Sequence, residues 1–246
     1  MISRAQEKLV RSLASRKGRA TTGLCLLEGS KVIAAAGDAV VLRFGRADTA
    51  DFDHLVTTET PQDEAAVARV PRWQRADLLG PSTLVVLDRV QDPGNVGAIL
   101  RLCLGFGGAL LLVEGADPTA PKVVRASAGA LFAVPWLRMG ADEAVAWLGS
   151  TGRPLFRLER GPAAGPLRQI GVRTPVVLVA GSEGRGIQLD VAGTSVAIDH
   201  DGRLESLNVG HAVAIALQHR FAACQATATA DAATPACSAA DPSGGR

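Results

Sequence analysis

Three polar segments that contain glycine each follow a short apolar run in the sequence. The segments cover residues 88–101, 181–187 and 199–208, and the runs before them cover residues 84–87, 176–180 and 195–198. In open α/β sheets, ligands bind outside the carboxyl ends of the strands. The succession of apolar run and polar segment therefore predicts one composite ligand site at one edge of a sheet.

The first segment offers an amide and a guanidinium. Asn95 follows a Pro-Gly turn, so it is either the cap of the next helix or a polar group of the site. Arg101 lies in a helical stretch, residues 96–106, that is apolar on nearly every side, and such a helix is expected to be buried. A buried charge needs a partner or a polar cavity, so Arg101 is either a site residue or half of a structural ion pair.

The second and third segments offer a glycine loop, a carboxylate and further small polar groups. The loop Gly181-Ser-Glu-Gly-Arg-Gly186 resembles one that cradles phosphate, because glycines let a ligand approach the backbone closely. The carboxylate of Glu183 would repel phosphate, which favours a cationic or hydroxyl-bearing ligand. In the third segment Ser206 and Asn208 open the last helix, and either could simply be its N-cap.

The elements that position these groups follow from the apolar pattern. Continuous apolar runs predict strands buried on both faces of a parallel sheet, at residues 84–87, 109–113, 176–180 and 195–198. Helical patterns lie between or after them, at residues 96–106, 142–148 and 207–221. Alternating strands and helices predict an α/β domain. Turn-forming residues at 71–83 predict a boundary before it, and the composition of residues 222–246 predicts a disordered tail.

The formal net charge of +2 conceals an uneven distribution. Residues 1–46 carry nine basic and three acidic side chains, whereas the rest of the chain has a net charge of −4. Around the first predicted helix, residues 2–13, the basic side chains indicate either a nucleic-acid contact or a solvated helix face. The candidate nucleic-acid contacts are Arg11, Arg16, Lys17 and Arg19. Only 4% of residues are aromatic and none is tyrosine, which argues against a base-stacking surface.

The sequence shows no sign of a metal site, a membrane span or a secretory signal. The four cysteines and four histidines show no spacing typical of metal ligands. No apolar run approaches the length that spans a bilayer, and residues 1–20 lack the apolar region of a secretory signal. We therefore expect a soluble, cytoplasmic protein without a bound metal.

A family resemblance is carried by four stretches taken together. Residues 92–101, 181–184 and 205–209, with residues 121–130, closely resemble the SpoU branch of the SPOUT methyltransferases, also called TrmH-like. The resemblance covers residues 83–221. The chain before it is similar to a small substrate-binding domain that precedes such catalytic domains. This predicts a substrate-binding domain at residues 1–75, a linker at 76–82, a methyltransferase domain at 83–221 and a tail at 222–246.

The resemblance implies a fold and an activity. The fold would be a trefoil-knotted α/β domain with a parallel sheet, preceded by a small α/β domain and assembled as a homodimer with the active site near the interface. The activity would be 2′-O-methylation of an RNA ribose with S-adenosylmethionine as methyl donor. The extra N-terminal domain favours ribosomal RNA. The alternatives are a transfer-RNA ribose methyltransferase and a catalytically silent RNA-binding relative.

The resemblance also implies roles for individual residues. Matching the motifs assigns five residues to catalysis, namely Asn95, Arg101, Glu183, Ser206 and Asn208, and three to the methyl-donor pocket, namely Gly181, Ile198 and Leu207. In the resulting hypothesis Arg101 holds an RNA phosphate and is positioned by Asn95. Glu183 fixes its loop or binds a hydroxyl, and Ser206 and Asn208 orient the ribose. Two stretches depart from the family pattern beside the donor pocket. Asp199-His200 stands where Pro-Met is usual, and Gly210-His211 stands where small or apolar residues are usual. Both bear on the affinity for the donor.

Overall fold

A seven-stranded sheet forms the centre of the computed structural model, which describes residues 1–58, 62–172 and 174–233. All its strand pairs are parallel, and the strand order is β6-β5-β4-β9-β7-β10-β8. The strands are β4 (Thr83–Asp88), β5 (Gly108–Val113), β6 (Trp136–Met139), β7 (Leu155–Leu158), β8 (Gly165–Pro166), β9 (Val176–Gly181) and β10 (Thr194–Ala197). Every residue of β4 and β5 is buried, because helices cover both faces. The predicted α/β fold with a parallel sheet is confirmed.

Strands β6, β7 and β8 were not among the predicted elements. Each is at most four residues long, and Arg138 and Arg157 interrupt the apolar character of β6 and β7. The helices of this part are α5 (Arg75–Leu79), α6 (Pro93–Phe106), α7 (Pro121–Ser127), α8 (Ala141–Ser150) and α9 (Val209–Ala233). The three helices predicted from the apolar pattern correspond to α6, α8 and α9. The trefoil knot implied by the resemblance stays a prediction.

The N-terminal part contains a three-stranded antiparallel sheet in the order β1-β3-β2. Its strands are β1 (Leu24–Glu28), β2 (Val40–Gly45) and β3 (Glu64–Arg69), and its helices are α1 (Arg4–Ser12), α2 (Arg16–Thr22), α3 (Ser30–Ala36) and α4 (Phe52–Leu55). Helix α1 begins after Ser3, whose hydroxyl accepts from the backbone N–H of Gln6 in a capping box. This part is therefore a small α/β unit, as expected.

Two predicted boundaries differ from the structure. The predicted linker, residues 76–82, lies largely within α5, whose Leu78 is buried against the larger sheet. The predicted tail was also wrong at residues 222–233, because α9 continues to Ala233. Alanine is the best helix former, so the alanine-rich sequence extends the helix that packing begins. Residues 234–246 of the predicted tail lie outside the described residues.

The small and large sheets share one core. Cys25 and Ile33 from the small part belong to the same buried cluster as Val85 and Leu131 from the large part. Helix α7 lies at the junction, in contact with both α6 and β1. The two parts therefore bury apolar surface against each other along a continuous interface.

A buried arginine strengthens this junction. Arg19 is 5% exposed, and its Nη2 lies 2.7 Å from Oδ2 of Asp117 in the larger part. Its Nε donates to the hydroxyl of Thr119 at 3.2 Å, and its Nη1 donates to the carbonyls of Leu13 and Ala14. All three nitrogens of the guanidinium thus have partners inside the protein.

Removing this guanidinium is expected to destabilise the fold. Arg19→Met leaves the largely buried carboxylate of Asp117 without its charge partner, so the free energy of unfolding should fall by about 3 kcal/mol. Urea denaturation measures this change. Arg43→Met is the matched control, because it removes an exposed ion pair with Glu64 and should cost less than about 1 kcal/mol. Equal losses in the two variants would contradict the assignment.

Acid titration gives a second readout. Burial raises the pKa of Asp117, but hydrogen bonds from Arg19 and Thr119 outweigh burial and lower the pKa below its usual value. A carboxyl with a depressed folded-state pKa stabilises the protein above its unfolded pKa of about 3.9, and that stability is lost as the pH falls through the folded value. Arg19→Met should therefore show a weaker loss of stability in acid than the wild type.

Candidate functional site

The carboxyl ends of β7, β9 and β10 surround a cleft of about 360 Å³. This volume lies within the range of small-molecule sites. Five of the residues predicted for the site line it, namely Gly181, Glu183, Ile198, Ser206 and Leu207. The structure therefore brings together the second and third polar segments at the sheet edge where the sequence places them.

Hydrogen bonds connect all three polar segments through Glu183. Its Oε1 accepts from Nδ2 of Asn95 at 3.0 Å and from Nδ2 of Asn208 at 2.8 Å. Asn208 Nδ2 also donates to Oδ1 of Asn95 at 3.1 Å. A carboxylate that accepts two amide hydrogens makes strong, charge-assisted bonds. The cluster of these three side chains fixes the glycine loop against the starts of two helices.

The two capping alternatives resolve differently. The N-cap of α6 is Asp92, whose carboxylate accepts from the backbone N–H of Asn95 at 2.8 Å, so Asn95 is not the cap. Asn208 does cap α9, because its Oδ1 accepts from the backbone N–H groups of Gly210 at 2.9 Å and His211 at 3.3 Å. Asn208 thus serves the helix end with its oxygen and the cluster with its nitrogen.

A buried carboxylate supports the glycine loop from below, and the sequence analysis did not select it. Asp88, fully buried at the end of β4, accepts from the backbone N–H groups of Gln188 at 2.5 Å and Leu189 at 2.7 Å. Its other oxygen accepts from the guanidinium of Arg89 at 2.7 Å. An acidic residue that ends a wholly apolar strand was the available signal, because such a carboxylate must be satisfied locally.

The loop before α9 is held by a second residue that the sequence analysis missed. Nη1 of Arg160 donates to the carbonyls of Leu204 at 3.0 Å and Glu205 at 3.1 Å, and it lies 3.3 Å from Nε2 of His200. Arg160 follows β7, a strand that was not predicted, so its place at the sheet edge was not apparent. His200, part of the departure from the family pattern, also contacts the carbonyl of Ile198 through Nδ1 at 2.7 Å.

The wall of the cleft carries an ionised carboxylate. Burial raises the pKa of Glu159, but the hydroxyl of Ser195 and the guanidinium of Arg157 bond to it and lower the pKa below its usual value. Glu183 and Glu205 also line the cleft. Arg160 and Arg185 line it as well, so the cleft presents groups of both charges to a ligand with hydroxyl groups.

Arg101 does not lie where the helical pattern places it. Helix α6 is not buried all round, because it exposes a face that includes Ala98, Arg101 and Leu104. Within the residues that the structure describes, Arg101 makes no hydrogen bond or ion pair, and it does not line the cleft. The expectation of an internal partner or cavity was wrong. Asn95 bonds Glu183 and Asn208 and therefore does not position Arg101 within one chain.

The four predicted RNA contacts separate into two groups. Arg16 and Lys17 are exposed, and Arg11 is exposed while paired with Asp51. Arg19 is buried with every guanidinium nitrogen engaged, so its prediction as an RNA contact was wrong. Sequence alone did not distinguish Arg19 from its neighbours, because its partner Asp117 lies far along the chain.

The described ranges contain neither a candidate membrane span nor a candidate metal site. No helix within residues 1–58, 62–172 and 174–233 combines the length and apolar character that crossing a bilayer requires. In the same ranges, no three acidic, histidine or cysteine side chains are grouped as metal ligands would be.

Comparison with known proteins shows which family the chain belongs to. A family model described as the SpoU rRNA Methylase family matches residues 82–218, which is more than half of the chain. The chain belongs to this family. The match includes the cluster of Asn95, Glu183 and Asn208 and the cleft beside it.

Relatives and solved structures of SpoU proteins agree with this membership. The chain is 31% identical over 175 residues to the 23S rRNA (guanosine(2553)-2′-O)-methyltransferase RlmP of Bacillus subtilis, covering 68% of each protein. It is 32% identical over 185 residues to the 23S rRNA (adenosine(1067)-2′-O)-methyltransferase of Streptomyces azureus, covering 71% of this chain and 68% of the relative. The crystal structure of an AdoMet-bound rRNA methyltransferase from Sinorhizobium meliloti has a TM-score of 0.78 and 26% identity, covering 91% and 96% of the two chains. Another curated relative is matched over only 61% of its length.

The glycine at the start of the SpoU loop is expected to be necessary for its shape. A Cβ on Gly181 would overlap the backbone of Gly186 and Ile187, so Gly181→Ala should lower the free energy of unfolding by about 2 kcal/mol. Urea denaturation measures the loss. Gly184→Ala is the matched control, since no atom lies within 4 Å of the added carbon, and its stability should stay within about 0.5 kcal/mol. A Gly181→Ala variant as stable as the control would contradict this packing.

Proposed function

We propose that the protein transfers a methyl group from S-adenosylmethionine to the 2′-hydroxyl of a ribose in RNA, with ribosomal RNA as the substrate. The observation that carries the proposal is the cluster of Asn95, Glu183 and Asn208 at the edge of the cleft, in a chain of the SpoU family. Relatives named as 23S rRNA 2′-O-methyltransferases support the choice of reaction and of RNA.

The cleft fits the proposed donor in size and in chemistry. Its volume of about 360 Å³ suits a nucleoside-sized molecule, and its lining carries both carboxylates and guanidinium groups. Gly181, Ile198 and Leu207 lie on its wall and would hold the donor. When bound, S-adenosylmethionine supplies an already activated methyl group on a sulfonium.

The residues of this chain must then align the ribose hydroxyl and help to remove its proton. The amide of Asn208 is fully engaged, since its nitrogen donates to two side chains and its oxygen accepts from two backbone N–H groups. We therefore assign Asn208 and Asn95 to positioning Glu183. The second oxygen of Glu183 and the exposed hydroxyl of Ser206 are the groups that would contact the ribose.

Arg101 is proposed to bind an RNA phosphate. Arginine side chains keep their proton in proteins, which disfavours a role as general base. A guanidinium presents several donors in a planar fork that matches the geometry of phosphate. Because Arg101 has no partner among the described residues, its donors are available to a ligand. This supports a contact with the RNA backbone.

A second copy of the chain is proposed to cover the exposed face of α6 and α9. Three large apolar side chains of these adjacent helices are exposed, Leu104 by 52%, Phe221 by 42% and Ile215 by 40%. Exposed apolar side chains on two adjacent helices suit a protein interface. Arg101 lies on the same face of α6 as Leu104, so in a homodimer it would sit at the interface and could complete a site with the partner subunit.

Methylation of purified RNA tests the proposed reaction. With labelled methyl donor, ribosomal RNA from cells lacking the gene should become labelled at a mapped ribose 2′-oxygen. Arg101→Ala and Arg101→Lys should lower turnover by about 100-fold while donor binding is kept, because phosphate would lose its planar fork of donors. Arg168→Ala is the control, because Arg168 is exposed and does not line the cleft.

The outcomes distinguish the alternatives. If only transfer RNA becomes labelled, the substrate is transfer RNA and the proposal of ribosomal RNA is wrong. If donor and RNA bind but no RNA is labelled, the chain is a silent relative and the proposed reaction is wrong. Near-normal turnover of Arg101→Lys would contradict the phosphate role.

A charged side chain placed on the proposed dimer face tests whether that face is an interface. Leu104→Asp should halve the molar mass measured by light scattering, because burying a carboxylate in an apolar interface is costly. Val41→Asp is the matched control, since Val41 is a similarly exposed apolar residue on the small sheet, and it should leave the mass unchanged. A wild-type protein that is monomeric at every concentration would show that this face has no such partner.

A further inference from the structure

A second polar pocket, of about 500 Å³, lies at the junction of the N-terminal part and the larger sheet. It opens at the carboxyl ends of β5 and β6, the same edge of the sheet that carries the cleft. Five of its lining residues carry long polar side chains, namely Arg16, Gln91, Glu114, Arg138 and Glu143. Gln91 belongs to the same polar segment as Asn95, so this segment contributes to both the pocket and the cluster at the cleft.

Each carboxylate of this pocket pairs with an arginine, although Arg89, the partner of Glu114, is shared with Asp88. Glu114 pairs with Arg89 at 3.0 Å and also accepts from the backbone N–H of Ala141 at 3.3 Å. Glu143 pairs with Arg75 at 2.6 Å. Both acidic side chains therefore have cationic partners that do not line the pocket.

The two arginines of the pocket have no such partner. Within the described residues, neither Arg16 nor Arg138 forms an ion pair with a carboxylate. Nη2 of Arg138 donates to the carbonyl of Gly115 at 3.0 Å, and its Nε is buried without a hydrogen-bond partner. A buried, unpaired donor on a cation is unfavourable in the free protein, and an anion bound by the rest of the guanidinium would offset that cost through its charge.

The electrostatics of Arg138 agree with this geometry. Burial lowers the pKa of Arg138 and the charge of Arg16 nearby lowers it further, while the carboxylate of Asp117 raises it in part. Two cations that face each other in one pocket repel, and an anion between them would relieve the repulsion.

We propose that Arg16 and Arg138 bind a phosphodiester of the RNA substrate that flanks the target nucleotide. The inference rests on the proposed function and adds a contact that bridges both parts of the chain. Arginine suits phosphate because its fork of donors matches the phosphate oxygens. Glu143 is paired with Arg75 and Glu114 shares Arg89 with Asp88, so the proposed contact rests on the two unpaired arginines.

The position of the pocket suits a contact with the same RNA strand. The pocket lies at β5 and β6, and the cleft lies around β9, β7 and β10, about three to four strands away in the sheet. At about 4.8 Å between neighbouring strands, this separation is about 17 Å. A chain of a few nucleotides spans that distance, so one RNA segment could occupy both.

Binding of labelled bacterial ribosomal RNA at several salt concentrations tests the proposal. Arg16→Gln and Arg138→Gln should each weaken binding about three- to tenfold and reduce the slope of log affinity against log salt by about one. Arg168→Gln removes the same charge at the opposite edge of the sheet and is the control. Binding of S-adenosylmethionine and thermal unfolding show whether each variant is folded. Because Arg16 is exposed, Arg16→Gln remains informative if Arg138→Gln is destabilised.

The possible results separate this inference from the proposed function. If the wild type binds and methylates RNA while both variants match Arg168→Gln, the pocket is not an RNA site. If inorganic phosphate stabilises the wild type through these arginines and the variants bind RNA normally, the pocket takes a free anion and the proposal is also wrong. If the wild type binds no RNA, the proposed function fails together with the pocket.

Discussion

The carboxylate of Glu183 is the group on which the arrangement of the site depends. It accepts hydrogen bonds from Asn95 at the start of α6 and from Asn208 at the start of α9. Those helices follow polar segments that are far apart in the chain but meet at one sheet edge. With an aliphatic side chain at this position, both amides would lose a charged acceptor, and the loop from Gly181 would no longer be joined to either helix.

Support for that carboxylate extends into the sheet. Asp88 bonds to the backbone just beyond the glycine loop, and Arg160 bonds to the backbone of the loop before α9. Asp88 does not line the cleft, whereas Arg160 does. Both fix backbone on either side of the cleft, which illustrates how the order of a binding site depends on groups placed behind it.

The sequence predicted the parallel sheet and the meeting of its polar ends because both follow from local patterns. Continuous apolar runs identified four strands, of which β4, β5 and β9 are buried and β10 is partly exposed, and the motifs located the cleft residues. Strands β6 and β7 were not predicted because they are short and an arginine interrupts the apolar pattern of each. Strand β8 was not predicted because it is only two residues long. Arg19 and Arg101 were misplaced for a related reason. Whether an arginine is buried or exposed is set by tertiary contacts, such as that between Arg19 and Asp117, which no local pattern contains.

The shared core at the junction of the two sheets has a consequence for how a substrate would be chosen. A domain on a loose tether searches many orientations, but a unit that buries apolar residues and Arg19 against its neighbour is held in one. The surface of the N-terminal part and the cleft therefore keep a constant distance and orientation. Selection under such a constraint depends on the shape that an RNA already has, so folded and unfolded copies of one nucleotide sequence would be treated as different molecules.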